Sequence, residues 1–297
     1  DLRLIEFHSK ANALTDESMQ IVAAAAKDHG AGIIVHNDAQ HFSAGVDLNA
    51  FRSMIEAGDW DGIDGFLWRF QMAVKDLKYA PVPVVGAPSG LAVGGGFEVL
   101  AHCDKLVVHS NSVLGLVESA VGVVPSGGGV KESYLRWHNA TGNWDDAAWK
   151  CWMNIGYGAT GSSPETSARL QYFRPEYDET IMNRDRLLPR AIALLGELAP
   201  NYQPPQPSQG QLASASLSDK MAEFMQAGID KGDFMPHDKT TAMAIASVMV
   251  RADGDGAEAD EDAFYARERA AFIRLAKTAP THQRICSMLD DGAPIRN

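Results

Sequence analysis

The sequence predicts an α/β domain followed by a helical region. Two observations carry this prediction. In the first half, short apolar runs alternate with capped or amphipathic helical segments, which is the signature of strands interleaved with helices. From Val130 onward the pattern becomes helical, and no repeat period stands out.

The elements follow in order. Residues 3–8 read as a short strand. A helix follows, with Thr15 as N-cap, Asp16 and Glu17 in the first turn and Gly30 at the stop. Residues 32–36 form an apolar strand, and residues 37–44 a polar loop. Ile63, Leu67, Phe70, Val74 and Leu77 recur at alternating steps of four and three, the stripe of an amphipathic helix that Pro81 closes. Residues 82–86 are a second buried strand, followed by Gly94-Gly95-Gly96 and another helix. Residues 105–109 and 112–114 are further strands. Ser163-Pro164-Glu165 opens a helix with cap, proline and acid in their favoured positions. Asn183 caps the next helix, which runs to about Leu198. Residues 199–216, rich in Pro, Gln and Ser, read as a connector. The remainder reads as three or four helices, interrupted by the acidic loop 253–258, which lacks EF-hand spacing and reads as a solvated turn.

Composition excludes several function classes. The chain has 297 residues, 45% of them apolar, enough for one large domain or a domain with an appendage. No apolar run approaches the ~18 residues of a membrane span, and no basic-then-apolar signal opens the chain. Residue 1 is Asp, so the chain reads as a processed or excised piece. A net charge of −12 disfavours nucleic acid as a partner but leaves room for a small anionic ligand on a local basic patch. Cys103, Cys151 and Cys286 are far apart and lie in no CxxC or zinc spacing, so they read as free thiols in a reducing cytoplasm, with no metal site.

The stretch Leu91-Ala92-Val93-Gly94-Gly95-Gly96-Phe97-Glu98 is the most informative in the chain. Consecutive glycines are costly in conformational entropy and keep side chains away from the backbone. Wedged between a buried strand and a helix start, the run reads as a binding loop with a carboxylate beside it. A second loop, His41-Phe42-Ser43-Ala44-Gly45-Val46-Asp47, follows the strand at 32–36. If the two strands are neighbours, N–H groups from both loops converge on one oxygen, and an oxyanion hole results. A third loop, Gly115-Leu116-Val117-Glu118-Ser119, carries another carboxylate in apolar company, and Pro125-Ser126-Gly127-Gly128-Gly129 adds a bare-backbone turn into a helix. Two carboxylates beside such a hole suit proton transfer next to a carbonyl, one as base and the other as acid. For Glu118 taken alone, a buried structural acid is an equal alternative.

These three segments, with Asn12-Ala13-Leu14 and Cys103-Asp104, resemble the signature segments of the enoyl-CoA hydratase/isomerase (crotonase) superfamily in order and spacing. The resemblance implies a crotonase-like ββα spiral core over residues 1–198 and closing helices over 259–297, with 199–258 as an inserted linker and helices. It implies a thioester carbonyl held by the N–H groups of Ala44 and Gly95. It implies Glu98 holding and activating water, and Glu118 exchanging a proton with the α-carbon. Ser43, Val46, Asp47, Leu48, Gly94, Gly96, Gly122 and Pro125 take substrate-binding places. Many isomerase relatives keep only the second glutamate, so having both favours hydration of a trans-2-enoyl-CoA over Δ3,Δ2 double-bond migration. A coenzyme A thioester is then the substrate and no permanent cofactor is needed. Trimer-type homo-oligomers are the family's usual assembly.

Gly115-Leu116-Val117-Glu118, the run from Pro125 to Arg136 and the ending Pro294-Ile295-Arg296-Asn297 resemble a narrower group of bacterial fusions. In these a 3-hydroxyacyl-CoA dehydrogenase half precedes the hydratase half. The chain has no GxGxxG after a strand, so no NAD site is expected in it. A non-catalytic scaffold half of such a fusion is the rival reading. The resemblance is imperfect: Asn49 stands where a lysine is usual, and Leu116-Val117 replaces a polar-proline pair.

Other residues read as structural. His41 is expected as an exposed loop histidine, and His102 and Cys103 as packing on the helix after the glycines. Trp137, Trp144, Trp149 and Trp152 are expected in a core or interface. Lys131, Arg136 and Lys150 are read as solvated charges rather than phosphate ligands. Ser43, Ser89 and Ser126 sit in no G-x-S-x-G elbow, which disfavours serine acyl-enzyme chemistry.

Overall fold

Parallel strands organise the structure, a computed structural model that describes residues 1–252 and 254–297. In chain order the elements are β1 (Arg3–Ile5), α1 (Asp16–Lys27), β2 (Ile33–His36), α2 (Leu48–Ala57), α3 (Trp60–Lys78), β3 (Val84–Ala87), β4 (Leu91–Val93), α4 (Gly95–Ala101), β5 (Lys105–His109) and β6 (Val113–Gly115). There follow α5 (Gly129–Thr141), α6 (Trp144–Gly156), β7 (Thr160–Gly161), α7 (Pro164–Ala168), β8 (Glu179–Ile181), α8 (Leu187–Leu198), β9 (Gln209–Gln211), α9 (Ser216–Lys231), α10 (Pro236–Met249), β10 (Glu258–Asp260), α11 (Glu261–Ala276) and α12 (Ala279–Asp291). A 3-10 turn, Glu118–Val121, follows β6. The chain forms two units: residues 1–47, 69–116 and 160–206, and residues 48–68, 117–159 and 207–297.

The first unit holds two sheets. One has the order β1-β2-β3-β5-β8 and is parallel throughout; the other has the order β4-β6-β7. Strand pairs therefore split between sheets: β3 lies in the first and β4 in the second, and β5 and β6 repeat the pattern. This alternation is the ββα spiral expected from the resemblance, and the fold is crotonase-like α/β with a helical C-terminal region. The central strands are apolar on both faces, as buried parallel strands must be: β2 and β3 are buried at every position. Ile34, Val85, Ala87 and Val107 form one core cluster with Leu187, Ala191, Leu194 and Leu195 of α8. The capping signals hold. Thr15 and Ser18 make a reciprocal capping box at α1, and Ser163 and Thr166 make another at α7.

The second unit is mainly helical, with α9 to α12 supplying the four helices after residue 207. The short antiparallel pair β9 and β10 joins it, Ala259 opposite Gly210. The expectation of helices alone beyond Val130 is thus corrected. β7, β8, β9 and β10 are two or three residues long. Strands this short carry no readable period, and their existence depends on a partner distant in sequence. Of the acidic loop 253–258, Asp253 lies outside the described residues. Asp255 pairs with Arg267 and Glu258 opens β10, so these two are structured rather than merely solvated. Among the described residues no helix is long and apolar enough to cross a membrane.

Candidate active site

In the first unit, the loop after β2 and the glycine run after β4 lie side by side. Ser43 donates its N–H to the Leu91 carbonyl at 2.9 Å and accepts from the Val93 N–H at 3.2 Å, so residue 43 continues the second sheet beside Ala92. Three residues on, Val46 bridges to Leu14, and Asp47 donates its N–H to the Leu14 carbonyl at 3.0 Å. Gly94 (φ 56°, ψ −133°) caps α4 in a conformation open to glycine, and its N–H donates to Gly115 at 2.9 Å. Gly96 is required by contact rather than by dihedral angle. A Cβ there would stand 2.7 Å from the Ser43 Cβ and 2.9 Å from its Oγ. The two loops approach so closely that a Cβ on Gly45 would stand 3.6 Å from the Gly95 nitrogen.

The proposed donors have distinct surroundings. Gly95 is the first residue of α4, where an N–H has no acceptor within its own helix. Ala44 is exposed, and its N–H donates to the Ala11 carbonyl at 3.2 Å. Ala11 and Asn12 adopt left-handed φ values of 56° and 51° to bring that carbonyl there. A substrate oxygen at Ala44 would take the place of the Ala11 oxygen. Glu98 lies in the first turn of α4, 2% exposed, its N–H bonded to the Gly94 carbonyl at 3.0 Å.

Buried amide and hydroxyl groups hold the Ser43 loop, and sequence reasoning missed one of the residues that supply them, Asn37. Asn37, directly after β2, accepts from the Phe7 N–H at 2.7 Å and donates to the Phe42 carbonyl. Asn12 donates to the His41 carbonyl at 2.8 Å and accepts from the Ser43 hydroxyl through its own carbonyl at 2.8 Å. The one available signal was a polar residue abutting a wholly apolar strand. His41 is not the exposed histidine expected: it is half-buried, and its Nδ1 accepts from the Leu91 N–H at 3.2 Å. His102 packs as expected, donating from Nδ1 to the Glu98 carbonyl at 2.7 Å.

In the second unit, Glu118 opens the 3-10 turn, and Gly122 ends that turn in the left-handed region at φ 75°. Thr281 donates to the Gly122 carbonyl at 2.8 Å and accepts from His237 at 2.9 Å. Arg284 donates to the Ser119 carbonyl at 3.4 Å. Leu48 opens α2, and Pro125 is buried ahead of the next glycines. The bare-backbone turn at 126–129 is already filled by this chain. Glu268 of α11, wholly buried, accepts from the Gly128 N–H at 2.8 Å and the Lys131 N–H at 2.9 Å. Ser126 donates to the Glu268 carbonyl at 3.2 Å.

The expected surface charges Lys131 and Arg136 are also corrected. Both are buried, at 0% and 7% exposure. The Lys131 ammonium pairs with Glu132 at 2.8 Å and with Glu261, donates to the Tyr265 hydroxyl at 2.8 Å, and sits 4.2 Å from the Tyr265 ring centroid. Burial works against this charge, but the two carboxylates outweigh it and hold the ammonium above the usual lysine range. Lys150 is exposed, over the Trp137 ring.

Comparison with known proteins bears on this arrangement. The enoyl-CoA hydratase/isomerase family profile matches residues 4–142. The match takes in just under half of the chain. The match spans both loops, Glu98, Glu118 and the turn that Glu268 fills. A Bacillus subtilis protein named as a 3-hydroxyacyl-CoA dehydrogenase is 30% identical over 306 residues, covering 100% of this chain and 38% of the relative. The chain thus spans well under half of that relative's length. Mitochondrial methylglutaconyl-CoA hydratase of Mus musculus is 34% identical over 90 residues, covering 30% of this chain and 27% of the relative. Among solved structures, an enoyl-CoA hydratase of Rhodobacter sphaeroides superposes with TM-score 0.66 at 19% identity, covering 97% of this chain and 86% of that one. An enoyl-CoA hydratase of Bacillus halodurans gives TM-score 0.55 at 16% identity, covering 88% and 92%. At these identities the structures establish the fold of the chain and nothing finer.

Proposed function

We propose that this chain is an enoyl-CoA hydratase that adds water reversibly, with syn geometry, to a trans-2-enoyl-CoA, giving the 3-hydroxyacyl-CoA of fatty-acid β-oxidation. The observation that carries the proposal is the backbone lacing of the Ser43–Val46 loop onto the glycine run, with Glu98 buried in the first turn of α4. In this reading the Gly95 and Ala44 N–H groups stabilise negative charge developing on the thioester oxygen, with losses of ~10²–10³ in rate if one is removed. Glu98 holds the water and takes its proton, and Glu118 delivers a proton to the α-carbon. Ser43, Val46, Asp47, Leu48, Gly94, Gly96, Gly122 and Pro125 shape the substrate's surroundings. The chain works in the cytoplasm, either as a trimer-type homo-oligomer or as the hydratase half of a larger dehydrogenase polypeptide.

Glu98→Gln and Glu118→Gln should each lower crotonyl-CoA hydration by at least ~10²-fold while leaving acyl-CoA binding nearly intact. Wild-type turnover in either variant refutes that residue's role. Faster isomerisation of a 3-enoyl-CoA than hydration of a 2-enoyl-CoA would instead favour the isomerase reading. No turnover of either substrate by folded protein would leave the scaffold reading.

A further inference from the structure

Within the second unit, α2 and α12 bring together three side chains that the proposed chemistry does not use. His282 and Cys286 lie four residues apart on α12 and so share one face of that helix. Glu56 lies in the last turn of α2. The His282 Nε2 stands 3.3 Å from the Glu56 Oε1 and 3.4 Å from the Cys286 Sγ, and one ligand atom from each residue falls within 4.8 Å of the other two. An ion pair one turn along fixes the register: Arg52 of α2 donates to Asp290 of α12 at 3.0 Å. Arg52 precedes Glu56 by one turn and Asp290 follows Cys286 by one turn, so the two helices run antiparallel along this face.

These distances suit a shared cation better than a pair of hydrogen bonds. A charge-assisted N–H···O bond is ~2.7–2.9 Å long, shorter than the nitrogen-to-oxygen distance here. An imidazole Nε2 offers one proton or one lone pair, yet this one faces a carboxylate and a thiol at once. One proton cannot serve both, whereas a cation between the three atoms can. Zinc bonds are ~2.0–2.1 Å to nitrogen, ~2.0–2.2 Å to oxygen and ~2.3 Å to sulfur. At tetrahedral angles these lengths separate nitrogen from oxygen by ~3.3–3.5 Å and nitrogen from sulfur by ~3.5–3.6 Å. The observed 3.3 and 3.4 Å lie within about 0.2 Å of both edges. The third edge closes by movement of the Glu56 side chain, which is exposed.

We propose that Glu56, His282 and Cys286 form a binding site for a divalent transition-metal ion of the zinc class, with water at the fourth position. Thiolate, imidazole and carboxylate together select zinc or a chemical neighbour over magnesium and calcium, which take oxygen ligands. Spacing along the chain gives no sign of the site, because Glu56 stands 226 positions before His282. The ion ties α2 to the half-buried flank of α12. The buried face of the same helix carries Thr281 and Arg284, which hold the Gly122 and Ser119 carbonyls. The site is thus a clamp on the helix that supports the 118–122 turn, and it stands whether or not the hydratase reading holds.

The test uses the full chain, stripped of metal with a chelator and kept reduced, with Co²⁺ and Zn²⁺ as probes. One equivalent of Co²⁺ should bind, giving the intense visible bands of a tetrahedral ion and a near-ultraviolet thiolate-to-cobalt band. Cys286→Ser should abolish the thiolate band, and His282→Ala and Glu56→Gln should each weaken binding at least ~tenfold. Zn²⁺ should displace the cobalt and raise the thermal midpoint of the wild type, and should leave that of Cys286→Ser unmoved. A second measurement needs no variant. Cys103 and Cys151 are buried and Cys286 is partly exposed, so thiol alkylation read by intact mass reports on Cys286. Zn²⁺ should slow that labelling at least ~tenfold, and a chelator should restore it. The absence of a thiolate band at stoichiometric Co²⁺, a band that persists in folded Cys286→Ser, or a labelling rate that Zn²⁺ leaves unchanged overturns the site. Equal protection by Mg²⁺ overturns the assignment to the zinc class.

Discussion

Glu268 should be among the most expensive side chains in the molecule to truncate. Its carboxylate is wholly buried and accepts two N–H groups, from Gly128 at 2.8 Å and Lys131 at 2.9 Å, at the start of the 13-residue helix α5. Glu268→Ala strands both donors, and a buried unsatisfied group costs ~1–3 kcal/mol. It also removes a negative charge from the helix N-terminus, worth up to ~2 kcal/mol in a partly buried setting. Against these losses stands the relief of no longer burying a charge, several kcal/mol in sign opposite. With two donors stranded and the buried-charge cost relieved, the net loss of stability should be on the order of 2–4 kcal/mol. Glu268→Gln retains one acceptor oxygen and loses the charge, so it should cost less, ~1–3 kcal/mol. Urea unfolding followed by tryptophan fluorescence measures both, with the m-value checking that the transition is unchanged. A cost below ~1 kcal/mol for the alanine variant, or equal costs for both, would show that the carboxylate does not hold the turn.

Two further perturbations probe the loops. Gly96→Ala places a methyl 2.7 Å from the Ser43 Cβ and must push the donor loop off the second sheet. Hydration should fall by ~10²-fold or more for a stability loss of only ~1–3 kcal/mol, read by steady-state kinetics alongside thermal melting. His237 is kept below the usual histidine range, first by burial and then by Arg284, with Asp238 opposing. The neutral ring is therefore the folded form, so its contribution is full above the unfolded value of ~6.5 and is lost as pH falls from there through the lowered folded value. The unfolding free energy should decline below about pH 6.5 by at most ~1.4 kcal/mol per pH unit from this group, read by urea unfolding across pH, and His237→Gln should flatten the decline.

What the sequence could reveal follows from how local each cause is. The α3 stripe and the caps at Thr15, Ser163 and Asn183 are decided within a turn or two, and each appears where its residues place it. The three-residue strand β8 is decided by β5, which it joins at Val107–His109, and its own composition says nothing. The same rule separates readable site residues from hidden ones. Glycines 94 and 96 announce themselves, because only a close backbone approach justifies them. Lys131 reads as surface charge because its buried surroundings, Glu261 and Tyr265, come from residues more than a hundred positions away.

The turn at 126–129 shows why a motif alone misleads about ligand sites. Read in isolation, three glycines ahead of a helix look like an open cradle for an anion. The structure supplies the anion from α11, as Glu268. The family-matched segment ends at residue 142, so the partner of its own glycine turn lies 126 residues beyond its end (268 − 142). The same holds for Gly122, whose carbonyl is held by Thr281. Residues 207–297 therefore hold the turns at 118–122 and 126–129 within the second unit, and are not an appendage that the family-matched segment could lose. Any fragment ending near residue 142 would leave the Gly128 and Lys131 N–H groups without the carboxylate that now buries them.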